Sequence, residues 1–272
     1  MNYRHAFHAG NFADCMKHAM LVWLLRSLVR KPAGFCVLDM HAGIGRYDLS
    51  AGPALRTSEF LSGIACLLDA PPQALADYVG LVRELGLYPG SPAIACALLR
   101  PQDRLICCEL HPEDATTLRK LFARDAQVAV HHRDAWEALP ALLPPKQRRG
   151  LILIDPPYER GDDFSSMITA LRAGWSKFRS GIFVAWYPIK HRAPVREFHA
   201  LLRQSGIRDM IATELWLRAP LDPIRLNGCG LIVVNPPFGF VDAAPDILQA
   251  LRDRLGGGTA DAGSDVLRLT DE

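Results

Sequence analysis

Residues 151 to 158 read Leu-Ile-Leu-Ile-Asp-Pro-Pro-Tyr, and no other stretch constrains the fold as much. Four consecutive branched apolar residues leave no polar face, so the segment fits a strand covered on both sides. Pro156 and Pro157 have no N–H to give a ladder, which stops the strand at Asp155. A strand buried on both faces needs a layer above it and a layer below it. The chain offers material for both. Further strands are expected at 35–38, 104–110, 127–131 and 181–186, with helical stretches at 112–124, 163–178 and 194–204 between them. Such alternation implies an α/β fold with a mainly parallel sheet. Two last strands, about 210–217 and 230–234, have no helix between them and are expected to run antiparallel.

The 272 residues suffice for one domain, and 49% apolar content suffices for a sizeable core. A helix is expected from about residue 12, with apolar positions 12, 16, 20, 23, 24 and 28 in register and Asn11 as its cap. Residues 50–90 are expected to form an inserted helical subdomain, broken by Pro71-Pro72 and Gly86. Ser91-Pro92 then opens a helix through Leu99, with Ser91 as the cap. The glycine- and aspartate-rich tail, 256–272, is expected to be flexible. The net charge of +2 does not by itself announce a nucleic-acid binder, so the basic runs Lys146-x-Arg148-Arg149 and Lys190-His191-Arg192 are the places to look for phosphate contacts. None of the seven cysteines forms a C-x-x-C pair, which fits reduced thiols of a cytoplasmic protein better than a disulfide frame or a zinc site. No apolar signal region follows Arg4 and no run is long enough to span a membrane, so no membrane association is expected.

The first strand is followed by Asp39-Met40-His41-Ala42-Gly43-Ile44-Gly45, a turn whose glycines let backbone approach a ligand closely. Nucleotide-binding folds place an acid about 20 residues beyond such a turn, on ribose hydroxyls. Here the best acid, Glu109, lies much further on, and an insertion over 50–90 accounts for the gap. The helix from Ser91 would then bring its N-terminus back to the glycine turn, where an anionic group is favoured. Asp134, after the next strand, suits an adenine amino group, with a surface-loop aspartate as the alternative reading. Upstream, Tyr3, Arg4, His5, His8, Lys17 and His18 form a dense aromatic and cationic cluster that could hold a carboxylate or an RNA backbone. Their spacing matches no short metal motif, and no metal is expected.

The Asp155-Pro156-Pro157-Tyr158 turn offers a carboxylate, a carbonyl with no competing N–H beside it, and a flat ring. Those are the groups needed to hold an exocyclic amine of a nucleobase, whose lone pair is delocalised into the ring. A plain sheet terminator would look the same locally. Asn235-Pro236-Pro237-Phe238 is a second such turn. Strand count favours Asp155: three strands are expected after it, and no further strand pattern is read after Asn235.

Taken together, Tyr-Arg-His-x-Phe-His-Ala-Gly-Asn at 3–11, Lys17-His18, Asp-x-His-Ala-Gly-x-Gly at 39–45, Tyr-Pro-Gly-Ser-Pro at 88–92, Glu109-Leu-His-Pro and Arg149-Gly-Leu-Ile-Leu-Ile-Asp-Pro-Pro-Tyr resemble the ribosomal RNA large-subunit methyltransferase J (RlmJ) family over nearly the whole chain. The resemblance implies a Rossmann-like sheet dependent on S-adenosylmethionine, releasing S-adenosylhomocysteine, and N6 methylation of one adenine in 23S ribosomal RNA. It places His18, His41, Ser91, Glu109, Asp134 with Ala135, and Asp155 at cofactor-contacting positions; Lys17 and Gly43 join them from the cluster and the turn. It makes Asp155 the proton acceptor, with Pro156 and Tyr158 completing the catalytic turn, and puts Tyr3 on substrate RNA, where His5 and Tyr158 are also expected. Ala135 stands where the family carries glycine, a change that a backbone contact tolerates. The expected partner is 23S RNA, protein-free or in an early assembly intermediate, met by a monomer. A DNA adenine methyltransferase, a protein glutamine methyltransferase and a non-catalytic RNA-binding module are the competing readings.

Overall fold

The computed structural model describes residues 4–159 and 161–272. Among the described residues ten strands are formed: β1 (Cys36–Asp39), β2 (Arg46–Tyr47), β3 (Tyr88–Pro89), β4 (Arg104–Glu109), β5 (Val128–His132), β6 (Gly150–Ile154), β7 (Ile182–Ile189), β8 (Met210–Trp216), β9 (Gly228–Val234) and β10 (Gly263–Thr270). Eight of them make one sheet in the order β10-β8-β9-β7-β6-β1-β4-β5, and β2 pairs only with β3. The run β7-β6-β1-β4-β5 is parallel; β9 is antiparallel to β7 and β8, and β10 to β8. This is the expected Rossmann-like sheet. Strands β1, β6 and β9 are buried along their whole length, as continuous apolar runs require.

The helices are α1 (Phe12–Val29), α2 (Gly52–Thr57), α3 (Ile64–Leu68), α4 (Ala76–Leu85), α5 (Ser91–Ala97), α6 (Pro112–Leu121), α7 (Ala135–Leu142), α8 (Asp163–Lys177), α9 (Arg192–Arg203) and α10 (Phe240–Leu255). One core lies between the sheet and α1, α4, α5 and α10; the other lies between the sheet and α7, α8 and α9. Helix α1 is apolar almost all round because it is packed on both sides, against the sheet beneath and α4 and α10 above. Asn11 caps it, accepting from the Asp14 N–H at 3.0 Å.

Residues 48–87 are mostly short helical turns, and the two-residue ribbon of β2 with β3 closes their ends. The segment docks on the N-terminus through the Ile64 N–H, which donates to Gly10 O at 2.8 Å. Only glycine permits that approach: a Cβ on Gly63 would sit 2.0 Å from Gly10 O.

Three expectations need correction. The tail is not loose from 256 on, because residues 263–270 form an edge strand along β8, with Leu269 buried in the second core. Burying such a side chain is worth about 1.5–3 kcal/mol, enough to hold a segment that composition marks as mobile. The sheet therefore ends in two antiparallel additions, β9 and β10, and strands do continue after Asn235. Finally, Gly90 caps α5, and Ser91 is its first residue. Helices α7 and α10 are not anticipated by the sequence pattern. Among the described residues no helix is long and apolar enough to cross a membrane.

Candidate active site

The parallel strands all end at one edge of the sheet, and the residues that follow them converge there on a cavity of about 840 Å3. The walls bring together nearly all the residues picked out from sequence: His5, Lys17, His18, His41, Gly43, Ser91, Glu109, Asp134, Ala135, Asp155, Pro156 and Tyr158. Tyr3 lies outside the described residues.

On the β1–β4 side, Glu109 grips the glycine turn. Its Oε2 accepts from the Gly43 N–H at 2.8 Å and its Oε1 from the His111 N–H at 2.8 Å. Burial pushes this carboxyl up, while the two N–H bonds favour its charged form. Gly43 has φ +60°, and a Cβ there would lie 2.5 Å from the Tyr47 hydroxyl. The turn is thus held in a conformation that needs glycine, with backbone facing the cavity. At the β5 end, Asp134 caps α7: Oδ1 accepts from Trp136 N–H at 2.7 Å and Glu137 N–H at 3.3 Å. Neither of the two uses foreseen for it, cavity acceptor or loop decoration, includes this capping role.

Asp155 occupies the middle of the floor. Its backbone N–H donates to His41 Nδ1 at 3.2 Å. Nδ1 is therefore the unprotonated nitrogen of His41, and burial pushes this imidazole down to about 4, so the ring is neutral. The Asp155 side chain meets Lys17, whose Nζ is 2.5 Å from Oδ2 and 2.9 Å from Asp14 Oδ1. Burial opposes the charge on Lys17, but the flanking carboxylates outweigh it and hold the ammonium well above the ordinary lysine range. Asp14 is itself buried, which disfavours its charge; His5 and Lys17 nonetheless hold it well below the usual carboxylate range. His5 Nε2 lies 2.9 Å from Asp14 Oδ2, and the Gly10 N–H donates to the same oxygen at 3.0 Å. Sequence reading passes over Asp14, which sits in an apolar helix; the available signal is a carboxylate three residues before a buried lysine.

His18 lies beside this network. Its Nδ1 is 3.0 Å from the Tyr88 hydroxyl, burial pushes it down to about 3, and its Nε2 has no hydrogen-bond partner among the described residues. Tyr158 follows the proline pair at φ +51°, a conformation that costs about 1–3 kcal/mol in a non-glycine residue. Its hydroxyl donates to Trp186 O at 2.9 Å, and its ring packs edge-on against Trp186 and Phe164. The fixed ring forms one side of the cavity.

The second proline pair is excluded by geometry. Strand β9 runs antiparallel to β7, pairing Val234 with Phe183 at the start of β7. Asn235 therefore emerges at the opposite edge of the sheet from Asp155. Its Nδ2 donates to Arg179 O and Gly181 O, and Phe238 is 97% exposed. The turn is a structural tie. Strand count reached the same choice through a false premise, since β10 follows. Of the two basic runs, Lys146 to Arg149 lies at that far edge, where Arg149 donates to Ala33 O and Leu28 O. Arg192 pairs with the buried Glu214 at 2.5 Å, leaving Lys190 on the cavity wall.

The family model described as "Ribosomal RNA large subunit methyltransferase D, RlmJ" matches residues 32–266. The chain belongs to the RlmJ family. It is 39% identical over 264 residues to the ribosomal RNA large subunit methyltransferase J of Haemophilus influenzae, and 40% over 263 residues to that of Escherichia coli. Each alignment covers 94% of both chains. The crystal structure of protein LPL1258 from Legionella pneumophila superposes with a TM-score of 0.88 at 34% identity, covering 96% of this chain and 98% of that one. The family match runs from ahead of β1 into the first residues of β10, so it takes in the core of the sheet of this RlmJ-family chain.

Proposed function

We propose that this protein methylates N6 of one adenine in 23S ribosomal RNA, with S-adenosylmethionine as donor. One observation carries the reading: the Asp155-Pro156-Pro157-Tyr158 turn shares a single cavity with the Gly43–Glu109–Asp134 cradle. The relatives named above are large-subunit ribosomal RNA methyltransferases, which supports the RNA as substrate.

The residues present fit the cofactor. Gly43 leaves backbone where a Cβ would strike Tyr47. Glu109 holds a carboxylate at the end of β4, the position suited to ribose hydroxyls, and Asp134 stands beyond it for the adenine end. His18 Nε2, buried and without a hydrogen-bond partner among the described residues, suits the carboxylate of a methionine moiety. When bound, the cofactor supplies an electrophilic methyl group on a sulfonium. Residues 48–87 act as an inserted subdomain that brings Glu59 and Ser62 to the cavity rim.

The chain's own part is to seat and orient the amine. The target adenine leaves its stack at a cost of a few kcal/mol. Stacking on the Tyr158 ring returns about 1–3 kcal/mol. Asp155 Oδ1 and the Pro156 carbonyl accept the two N–H groups, directing the lone pair at the methyl carbon. Lys17 fixes Oδ2, so the carboxylate cannot rotate away. Alignment of this kind is worth up to about 7–11 kcal/mol. As N6 gains the methyl group it loses one proton, which Asp155 Oδ1, already accepting that N–H, can take.

The test is to incubate the protein with methyl-labelled cofactor and protein-free 23S RNA, then map the label by nuclease digestion. N6-methyladenine at one site is expected, and Asp155→Ala should abolish it without unfolding the chain. Label on another atom, or undiminished transfer by Asp155→Ala, refutes the assignment.

A further inference from the structure

Cations gather on the other side of Asp155 from the cofactor cradle. The cradle is built on β1, β4 and β5; β6 carries Asp155; Lys190, Arg218 and Arg225 follow β7, follow β8 and precede β9. All three are exposed and line the same cavity. None has a carboxylate partner among the described residues. Arg218 is pushed below the usual arginine value by burial and by the neighbouring charge of Arg225. Like charges placed together without a counter-ion cost energy unless an anion sits against them.

The loop that carries them is anchored at its root and bare at its tip. Asn227 is buried and donates from Nδ2 to Lys190 O at 2.7 Å and to Asp222 O at 2.9 Å. The Asp222 carboxylate accepts from the Ile224 N–H at 2.9 Å, within its own loop. Leu221 and Ile224 are 77% and 88% exposed, the latter on the cavity rim. Apolar tips beside unpaired cations match single-stranded nucleic acid, which presents phosphates and unstacked base faces together. A protein partner would bring carboxylates but no reason for the cations to share a cavity with the amine-holding turn.

We propose that Lys190, Arg218 and Arg225 grip the phosphates of single-stranded RNA flanking the extruded adenine, while Leu221 and Ile224 cover the faces of its unstacked neighbours. This rests on the adenine-methylation reading and assigns the RNA-holding surface that the reading requires. Three phosphate contacts to a single strand, at about 0.7 each, contribute about 2 to the slope of log affinity against log salt. At 0.1 M salt that amounts to about a hundredfold in affinity.

The experiment is fluorescence anisotropy of a labelled single-stranded 23S fragment over a salt series. The triple variant Lys190→Gln/Arg218→Gln/Arg225→Gln should lose about 2 in slope and about a hundredfold in affinity at 0.1 M salt. Lys146→Gln/Arg148→Gln, at the far edge of the sheet, should keep the wild-type slope. Leu221→Ser/Ile224→Ser should weaken binding severalfold with the slope unchanged. A wild-type slope in the triple variant, or an equal loss in the far-edge control, overturns the phosphate grip. Full affinity in the serine variant overturns the base-face contact. Methyl transfer by the wild-type protein is scored separately, so a failure of the methylation reading is distinguishable from a failure of the grip.

Discussion

Replacing Lys17 by methionine tests whether the buried charge network holds the Asp155-Pro156-Pro157-Tyr158 turn. The ammonium lies 2.9 Å from Asp14 and 2.5 Å from Asp155, with side-chain exposures of 6%, 2% and 18% respectively. Methionine nearly preserves volume, so the cost is electrostatic. Asp155 can recruit water, but Asp14 cannot; it keeps the Gly10 N–H and His5 on its other oxygen and, on the oxygen Lys17 leaves, only the more distant His18 Nε2 at 3.9 Å. Removing one partner of a buried pair costs about 3–5 kcal/mol. For a domain of roughly this size that is about 2–4 °C of Tm per kcal/mol, hence a fall of about 6–20 °C. Adding Asp14→Asn removes the orphaned charge and should restore most of the stability. It should not restore methyl transfer, because Asp155 Oδ2 still lacks its anchor. Urea unfolding and label transfer on the same three proteins measure both quantities. A loss below about 1 kcal/mol for Lys17→Met refutes the reasoning, as does a double variant no more stable than the single one.

Gly43→Ala should lower cofactor affinity at least tenfold by titration calorimetry and cost about 1–3 kcal/mol in stability, since the residue would need φ +60° with its Cβ 2.5 Å from the Tyr47 hydroxyl. Burial pushes His18 down to about 3 from an unfolded value near 6.5, so unfolding takes up a proton between those limits and stability falls as pH falls through that window. His18→Gln should make the dependence shallower by about 1.4 kcal/mol per pH unit between pH 4 and 6, read from urea unfolding at a series of pH values. Ending the chain after residue 262 should lower Tm and promote self-association, because it removes β10 and bares the edge of β8; a truncation with native Tm in a scanning-calorimetry trace would mean that β10 adds nothing.

The sequence by itself determined the buried strands, most of the helices between them (α7 excepted) and the turn that offers a carboxylate, a carbonyl and a ring. These are local facts, written in runs of adjacent residues such as 151–158 and in the spacing of apolar positions along α1. It also ranked Asp155 over Asn235, although for an incomplete reason. What decided that choice was the direction of β9, which sends Asn235 to the far edge. Strand direction is set by pairing with distant neighbours and leaves little mark on the strand's own residues. The same holds for β10, whose glycine- and aspartate-rich lead-in reads as a tail until β8 is beside it. The contact of Lys17 with Asp155 and that of Glu109 with Gly43 are side-chain events across long stretches of chain. So is the gathering of Lys190, Arg218 and Arg225, which in sequence are separate single charges. Burial, too, belongs to the tertiary structure: it alone turns His18 and His41 from ordinary titrating histidines into neutral ones.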